Sequence, residues 1–192
     1  MPVDDDSLER LTRKLAPARI RDTLMFSALL QLVHELIKQS VLADVKGFFG
    51  FSDLFGEGEW IDAASKRNYE ATVLSLAPGK PFDASALWLQ HAEAITPEQR
   101  HRLTEIYAHR HHLTHGLAGF IVDVNREPDA TILTDALQIA AAIDGFWKGV
   151  EKDLGSFDGH GDVDIEQVHS GRALLLQLCV DAYLRHDEPP DA

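Results

Sequence analysis

Hydrophobic residues recur at three- and four-residue spacing in four long stretches of the chain, which is the period of an amphipathic α-helix. In the first stretch polar residues occupy the opposite side, and this spacing is shared by Leu24, Met25, Ala28, Leu29, Leu32, Val33, Leu36 and Ile37. The four predicted helices cover residues 19–46, 97–116, 131–154 and 164–185. Such helices bury their apolar stripes against one another, so the pattern predicts an all-α fold, a bundle of four to five helices.

The remaining segments are shorter. A small helix is expected within residues 1–18, between a Ser7 cap and Pro17. Residues 47–95 separate the first two long helices and must form a long crossover or an insertion instead of a hairpin. One hydrophobic core suffices for 192 residues, so we expect a single domain over 1–192, with a frayed polar tail at 186–192.

The insertion contains local helix signals. Apolar spacing predicts short helices over residues 63–76 and from an Asp83 cap to about Ala94. Thr96 and Gln99, with a proline at the first helical position, then have the pattern of a capping box. This box predicts the start of the second long helix.

Residues 47–60 combine glycines with five large aromatic residues and have neither a helical nor a strand period. Aromatic side chains in a long connection commonly anchor it to the core, and the same residues can also form a platform on which nucleotide bases stack. The glycine spacing does not match a dinucleotide-binding or Walker loop. No nucleotide cofactor is therefore expected.

The charge balance limits the partners of the chain. With 18 basic and 31 acidic residues, the net charge of −13 gives no overall attraction to nucleic acid or anionic lipid, so any phosphate must be held locally. The acidic N-terminal sequence does not have the pattern of a signal peptide, and no apolar run approaches the ~18 residues of a membrane span. Cys179 lies in an apolar run and is expected to be a buried structural thiol. These features predict a soluble, cytoplasmic protein.

The segment from Ile106 to Leu117 is the most unusual, because it contains Arg110 and four histidines. The apolar stripe of this predicted helix consists of Leu103, Ile106, Tyr107, Leu113 and Leu117, and position 110 falls on it. A guanidinium cannot lose its charge, so there it must find a carboxylate, phosphate or carbonyl partner. Arg110 is therefore the residue that core packing does not explain.

Helical geometry separates this arginine from the histidines. His111 and His115 are four residues apart, so their imidazoles can approach each other on a neighbouring face. Arg110 and His115 are five residues apart, which is about 140° around an ideal helix. One phosphate can therefore contact both only at a helix end, at a bend near Gly116, or with a second copy of the protein.

The segment from Arg110 to His115 resembles the Arg-x4-6-His motif of HEPN domains, small all-α proteins that include prokaryotic ribonuclease toxins and phage-defence ribonucleases. In that motif the position after the arginine is polar, and His111 occupies it here. The resemblance also covers the helical architecture over about residues 20–186. It implies metal-independent cleavage of RNA, without a cofactor, at a site that two protomers of a homodimer form together.

The resemblance further implies a role for each motif residue. His115 would act as acid and base on the 2′-hydroxyl and the leaving 5′-oxygen, Arg110 would hold the phosphate, and His111 would orient or polarise the reacting groups. The products would be a 2′,3′-cyclic phosphate and a 5′-hydroxyl. A toxin of this family would have a nucleotidyltransferase-type antitoxin as its partner.

Residues near the motif are further candidates. The locally basic stretch supplies three candidate RNA-binding residues, which are Arg100, Arg102 and His112. The two arginines can instead form surface ion pairs with Glu98 and Glu105. The first long helix supplies two candidate supporting residues, His34 and Glu35, whose alternative is an ordinary solvated face.

A second class of function is a non-catalytic HEPN-like module, either a dimeric scaffold or a nucleotide sensor. The motif alone does not separate this module from an active nuclease. A buried carboxylate such as Glu35 or Asp144 that neutralises Arg110 would favour the scaffold over the nuclease.

A third alternative is a histidine-rich metal-binding bundle. His109, His112 and His115 recur at three-residue spacing, and Glu166 and His169 form one Glu-x-x-His pair. The second such pair of a di-iron bundle and the zinc signature are both missing from the sequence. No metal is therefore expected.

Overall fold

The computed structural model describes residues 5–52, 58–156 and 168–185, and most of these residues are helical. The all-α prediction is therefore confirmed. The α-helices are α1 (Asp5–Lys14), α2 (Pro17–Gln39), α3 (Val45–Phe48), α4 (Ala63–Thr72), α5 (Pro81–His91), α6 (Pro97–His115), α7 (Leu117–Val122), α8 (Ala130–Asp153) and α9 (Gly171–Arg185).

Helix α2 is the element against which the other long helices pack. It contacts α6, α8 and α9, and α6 also contacts α8. The side chains that these helices bury completely or nearly so are Phe26, Leu29, Leu30, Val33 and Ile37 of α2, Leu103, Ile106 and Leu113 of α6, and Ile132, Leu133, Ala136, Ile139 and Ile143 of α8. These residues follow the three- and four-residue spacing of the sequence, which is why the bundle was predictable. Leu24, which was expected on the buried stripe of α2, is instead 45% exposed.

The end of α2 has an irregular form. The helix continues into a π-helical turn over Ser40–Asp44 and then into α3. A π-helical turn is rare, and here it carries two side chains that bind Arg172 of α9. Arg172 donates to the two carboxylate oxygens of Asp44 at 2.5 and 2.8 Å and to the hydroxyl of Ser40. This ion pair fastens α9 to the bundle.

Helix α9 differs from the prediction at its N-terminal end. The predicted start near residue 164 lies outside the described residues, residues 168–170 are not helical, and α9 begins at Gly171. None of its residues is fully buried, so Cys179 is partly buried against the core instead of fully buried as expected. Its outer face exposes Leu174, Leu175 and Leu178.

The insertion between α2 and α6 contains a small hairpin that was not predicted. Strands β1 (Phe51–Ser52) and β2 (Glu59–Trp60) pair antiparallel, and α4, a 3₁₀ turn over Leu74–Leu76 and α5 follow. Asp83 does not cap α5, because Lys80 is the cap residue and Pro81 takes the first helical position. A proline suits that position because its missing N–H would have no helical partner there.

Aromatic rings of the insertion pack against one another. The ring of Trp60 lies 5.3 Å from that of Tyr69, and the ring of Phe49 lies 5.7 Å from that of Trp88. Phe48 is half-exposed, although its ring is 5.4 Å from that of Trp88. Phe49 and Trp60 therefore anchor the insertion to the core, while Phe55 lies outside the described residues.

No helix in the described ranges 5–52, 58–156 and 168–185 combines the length and the apolar character that crossing a membrane requires.

Replacement of one core leucine provides a test of this packing. Leu30→Ala is expected to lower the free energy of unfolding by about 2–5 kcal/mol, because Leu30 is completely buried on α2. The same change at Leu178, which is 68% exposed, is expected to change it by less than about 0.5 kcal/mol. Urea unfolding followed by circular dichroism measures both values, and equal losses would contradict the packing described for α2 and α9.

Candidate functional site

Helix α6 positions the histidine-rich segment. The predicted capping box is present at its start, where the Thr96 hydroxyl accepts from the Gln99 backbone N–H at 3.1 Å and the Gln99 side chain accepts from the Thr96 backbone N–H at 2.9 Å. The helix then runs without interruption to His115, and Gly116 separates it from α7. All six candidate residues of this helix, from Arg100 to His115, therefore lie on one rigid element.

The apolar stripe of α6 differs from the prediction at one residue. Leu103, Ile106 and Leu113 are buried, but Tyr107 is 54% exposed and lies outside the stripe. The side chain of Arg110 is only 21% exposed, so the arginine does occupy a mostly buried position between Ile106 and Leu113.

Arg110 finds its partners on α2. Its Nε donates to the side-chain oxygen of Gln31 at 2.6 Å, and its Nη2 donates to Oε1 of Glu35 at 3.2 Å. Gln31 also donates to the same Glu35 oxygen at 3.1 Å. Nη1 of Arg110 makes no hydrogen bond within the described part of the chain. Arg110 therefore joins α6 to α2 and retains one nitrogen for a further partner.

The carboxylate beside Arg110 is not buried. The side chain of Glu35 is 46% exposed, and Lys38 lies 3.8 Å from its second oxygen. Asp144, the other carboxylate that could have neutralised Arg110, pairs with Lys148 at 3.2 Å. An ion pair with an exposed carboxylate contributes little free energy. Another anion can therefore replace Glu35 as the partner of Arg110.

His34 is buried beneath this pair. Its Nδ1 lies 3.5 Å from Oε1 of Glu35 but has no hydrogen-bond partner in the described part of the chain, and its ring centroid lies 5.7 Å from that of Tyr107. Burial lowers the pKa of His34 below its usual 6.5, and the neighbouring charge of Arg110 lowers it further, while Glu35 acts in the opposite direction. His34 is therefore not part of a solvated face, and it supports the Arg110 site as a neutral ring.

Exposed rings continue from His34 along the surface of α6. The rings of Tyr107 and His111 are stacked with centroids 6.4 Å apart, and the centroids of His111 and His115 are 4.4 Å apart. We call His34, Tyr107, His111 and His115 the aromatic row. The predicted approach of His111 and His115 is therefore present in the structure. Tyr107 was missed as a site residue, although its four-residue spacing from His111 is the signal that could have identified it.

The other basic candidates point away from Arg110. Arg100 donates to the side chain of Gln90 on α5 at 2.6 Å, not to Glu98. Arg102 donates to Asp135 of α8 at 2.6 Å and to Glu105, and these hydrogen bonds raise its pKa. Both arginines thus join α6 to neighbouring helices, and the structure does not bring them to the motif.

The two remaining histidines of the segment from Ile106 to Leu117, His109 and His112, lie on a third side of α6. His112 is exposed, and its ring centroid lies 6.3 Å from that of His111. His109 accepts a hydrogen bond from the backbone N–H of Asp129 at 3.4 Å, and its pKa is lowered, mainly by burial. Among the described residues, no three histidine, cysteine, aspartate or glutamate side chains are arranged to hold a metal ion, and Glu166 lies outside that part of the chain.

The site thus consists of Arg110 with its two partners on α2 and the aromatic row beside it. Such an arrangement offers a fixed guanidinium for an anionic oxygen and two exposed imidazoles for proton transfer. In comparisons with models of protein families, with curated proteins and with solved structures, the chain matches none of them.

The buried imidazole makes folding depend on pH. Because the pKa of His34 is below 6.5 in the folded protein, the unfolded chain takes up a proton at this residue first. The free energy of unfolding is therefore unaffected by this residue above about pH 6.5, and it decreases as the pH falls toward the pKa that His34 has in the folded protein. The free energy of unfolding of the wild type is therefore expected to fall more than that of His34→Gln between about pH 7.5 and pH 5.5.

Urea unfolding of both proteins at the two pH values measures this difference. His101→Gln changes an exposed histidine at the other end of α6 and serves as the control. An identical loss of stability in the wild type and in His34→Gln would show that His34 is not held as a neutral buried ring.

Proposed function

We propose that this chain is a metal-independent endoribonuclease of toxin or phage-defence type, which acts as a homodimer. The observation that carries the proposal is the exposed pair of imidazoles, His111 and His115, with centroids 4.4 Å apart on the helix that holds Arg110. The resemblance of this segment to the HEPN motif adds support. Neither core packing nor a metal site accounts for the pair in the described residues.

The proposed reaction requires two proton transfers and one bond exchange. A neutral imidazole takes the proton of the 2′-hydroxyl, and the 2′-oxygen attacks the adjacent phosphorus. The bond from phosphorus to the 5′-oxygen breaks, and a protonated imidazole donates a proton to that oxygen. Arg110 stabilises the charge on the non-bridging oxygens with its planar set of donors. His115 is the acid and base, and His111 orients or polarises the reacting groups.

Helix geometry makes a second protomer part of the proposal. Arg110 turns toward α2, whereas His111 and His115 face solvent along the aromatic row. Arg110 and His115 of one protomer therefore point to different sides of α6. If two copies pair across this surface, the arginine of one copy and the histidine of its partner can act on the same phosphate.

Alanine substitution in the motif tests the reaction. His115→Ala is expected to reduce the rate of RNA cleavage by about 10²–10⁴-fold, because a general acid or base typically contributes this much. Arg110→Ala is expected to reduce it by about 10²–10³-fold. Cleavage of total RNA in EDTA is measured for each variant, and the product ends are mapped for a 2′,3′-cyclic phosphate and a 5′-hydroxyl.

His101→Ala, which removes an exposed histidine of the same helix outside the motif, should cleave RNA like the wild type. Loss of all activity in EDTA, or full activity of His115→Ala, would overturn the proposal.

The second candidate function is a non-catalytic dimeric binding module. The contacts of Arg110 with Gln31 and Glu35 favour it, since a guanidinium with two protein partners has less need of a phosphate. The exposure of Glu35 argues in the other direction, because water and a phosphate can both reach the pair.

Glu35→Gln separates the two candidates. In a nuclease this change removes the charge that competes with the substrate phosphate, so the KM for RNA is expected to fall about fivefold, which corresponds to the ~1 kcal/mol of an exposed ion pair. Glu70→Gln makes the same charge change at an exposed residue of α4 and should leave the KM unchanged. In a scaffold Glu35→Gln would lower the melting temperature and have no effect on RNA. Steady-state cleavage and thermal unfolding of the two variants give both readouts.

A further inference from the structure

The chain is strongly acidic, but one short segment has the opposite charge. Residues 10–21 contain five basic residues, Arg10, Arg13, Lys14, Arg19 and Arg21, and no acidic residue, in a chain with a net charge of −13. The segment spans the end of α1 and the start of α2, which meet at Ala16 and Pro17. The fold therefore gathers more than a quarter of the 18 basic residues at one corner of the bundle.

Four of these side chains converge on one depression. Arg10, Arg13, Lys14 and Arg19 line a surface hollow of ≈150 Å³ together with Val124 and Glu127. Four cations thus face one carboxylate. The hollow has the space of about five water molecules at ~30 Å³ each, which is sufficient for a phosphate group.

Lys14 is the buried cation of the hollow, and the fold uses its charge. Its Nζ donates to Glu127 at 2.7 Å and to the backbone oxygen of Arg126 at 2.7 Å, and its side chain is nearly buried. It therefore joins α1 to the connection between α7 and α8.

The arginines of the hollow keep most of their charge available. Arg10 donates to the neutral side chain of Asn125 at 3.1 Å. Arg13 pairs with Glu9 at 2.9 Å, but both side chains are largely exposed, and such pairs contribute little. Arg19 is exposed, and its side chain makes no hydrogen bond or ion pair within the described part of the chain. Because the contacts of these three arginines are exposed or absent and contribute little to stability, folding does not explain why the arginines converge on one hollow.

The hollow lies at the same end of the bundle as His115. Helix α7 follows His115 directly and contacts α1, α2 and α6. The side chain of Arg126 occupies the space between them, with its guanidinium 4.5 Å from the ring centroid of Phe120. A Cβ on Gly119 would lie 2.6 Å from this guanidinium, so the glycine lets Arg126 lie flat against α7. A line of positive charge therefore runs from α1 past α7 toward the end of α6.

We infer that the hollow formed by Arg10, Arg13, Lys14 and Arg19 is a phosphate-binding site for the backbone of single-stranded RNA. The identification of the ligand as RNA rests on the proposed function, whereas the phosphate chemistry rests on the four cations alone. The site holds one part of the strand while another part lies at Arg110 and His115. It contacts phosphates and not bases, so it contributes affinity without sequence preference.

Binding of RNA to charge-matched variants tests this site. Fluorescence anisotropy is measured with a labelled single-stranded RNA of about 20 nucleotides in EDTA, and every protein also carries His115→Ala so that cleavage does not interfere. The first variant changes Arg10, Arg13 and Arg19 to glutamine. The control changes Lys66, Arg67 and Lys152 to glutamine, which removes the same charge from α4 and from the far end of α8.

The variant at the hollow is expected to bind RNA at least about tenfold more weakly, and its slope of log affinity against log salt should be smaller in magnitude by about 2 between roughly 50 and 200 mM salt. The control should bind within about twofold of the parent protein. Arg19→Gln alone, which breaks no contact, should reduce the slope by about 0.7. The melting temperature of the variant at the hollow should stay close to that of the parent, because the contacts that Arg10 and Arg13 lose are exposed and contribute little.

Equal binding by the variant at the hollow and by the control would overturn the inference. So would binding to phosphatidylserine vesicles that the same variant loses while it keeps RNA binding, because the hollow would then serve a membrane surface. If the wild type does not cleave RNA but the variant at the hollow still loses binding, the proposed nuclease function fails and the phosphate site stands.

Discussion

The charge of Arg110 is the constraint around which the site is arranged. A guanidinium keeps its charge at any physiological pH, so its position on the mostly buried side of α6 obliges α2 to offer oxygen atoms opposite it. Gln31 and Glu35 supply these atoms, one helical turn apart. The same turn of α2 places His34 beneath Tyr107. The charge of Arg110 therefore accounts for the polar side chains that α2 presents to α6 beside the start of the aromatic row.

Most of the fold was predictable because the four long helices carry their own periodicity. Leu29, Ile106 and Ile143 are buried where the spacing placed them, and the capping box at Thr96 is determined by residues within one turn. The start of α9 was placed incorrectly because apolar spacing does not show where a helix without fully buried residues begins. The β1 and β2 hairpin was missed because two-residue strands are too short to show a period.

The candidate site was predictable only where its residues share one helix. The approach of His111 and His115 follows from their spacing, but the partners of Arg110 lie about 75 to 79 residues earlier in the chain and depend on how α2 packs on α6. For the same reason the sequence could not show that Arg102 donates a hydrogen bond to Asp135 of α8. The hollow at the α1 and α2 corner was missed altogether, because its four cations converge only when two helices meet around Pro17.

Helix α9 has a different relation to the bundle from the other long helices. It contributes no fully buried side chain, and the contacts of Arg172 with Asp44 and Ser40 join it to the π-helical turn. The free energy needed to detach it is therefore smaller than that needed to separate α2, α6 and α8, whose interfaces contain the central leucines and isoleucines. Its backbone amides would exchange with solvent through this local opening, while those of α2 would exchange only when the whole protein unfolds.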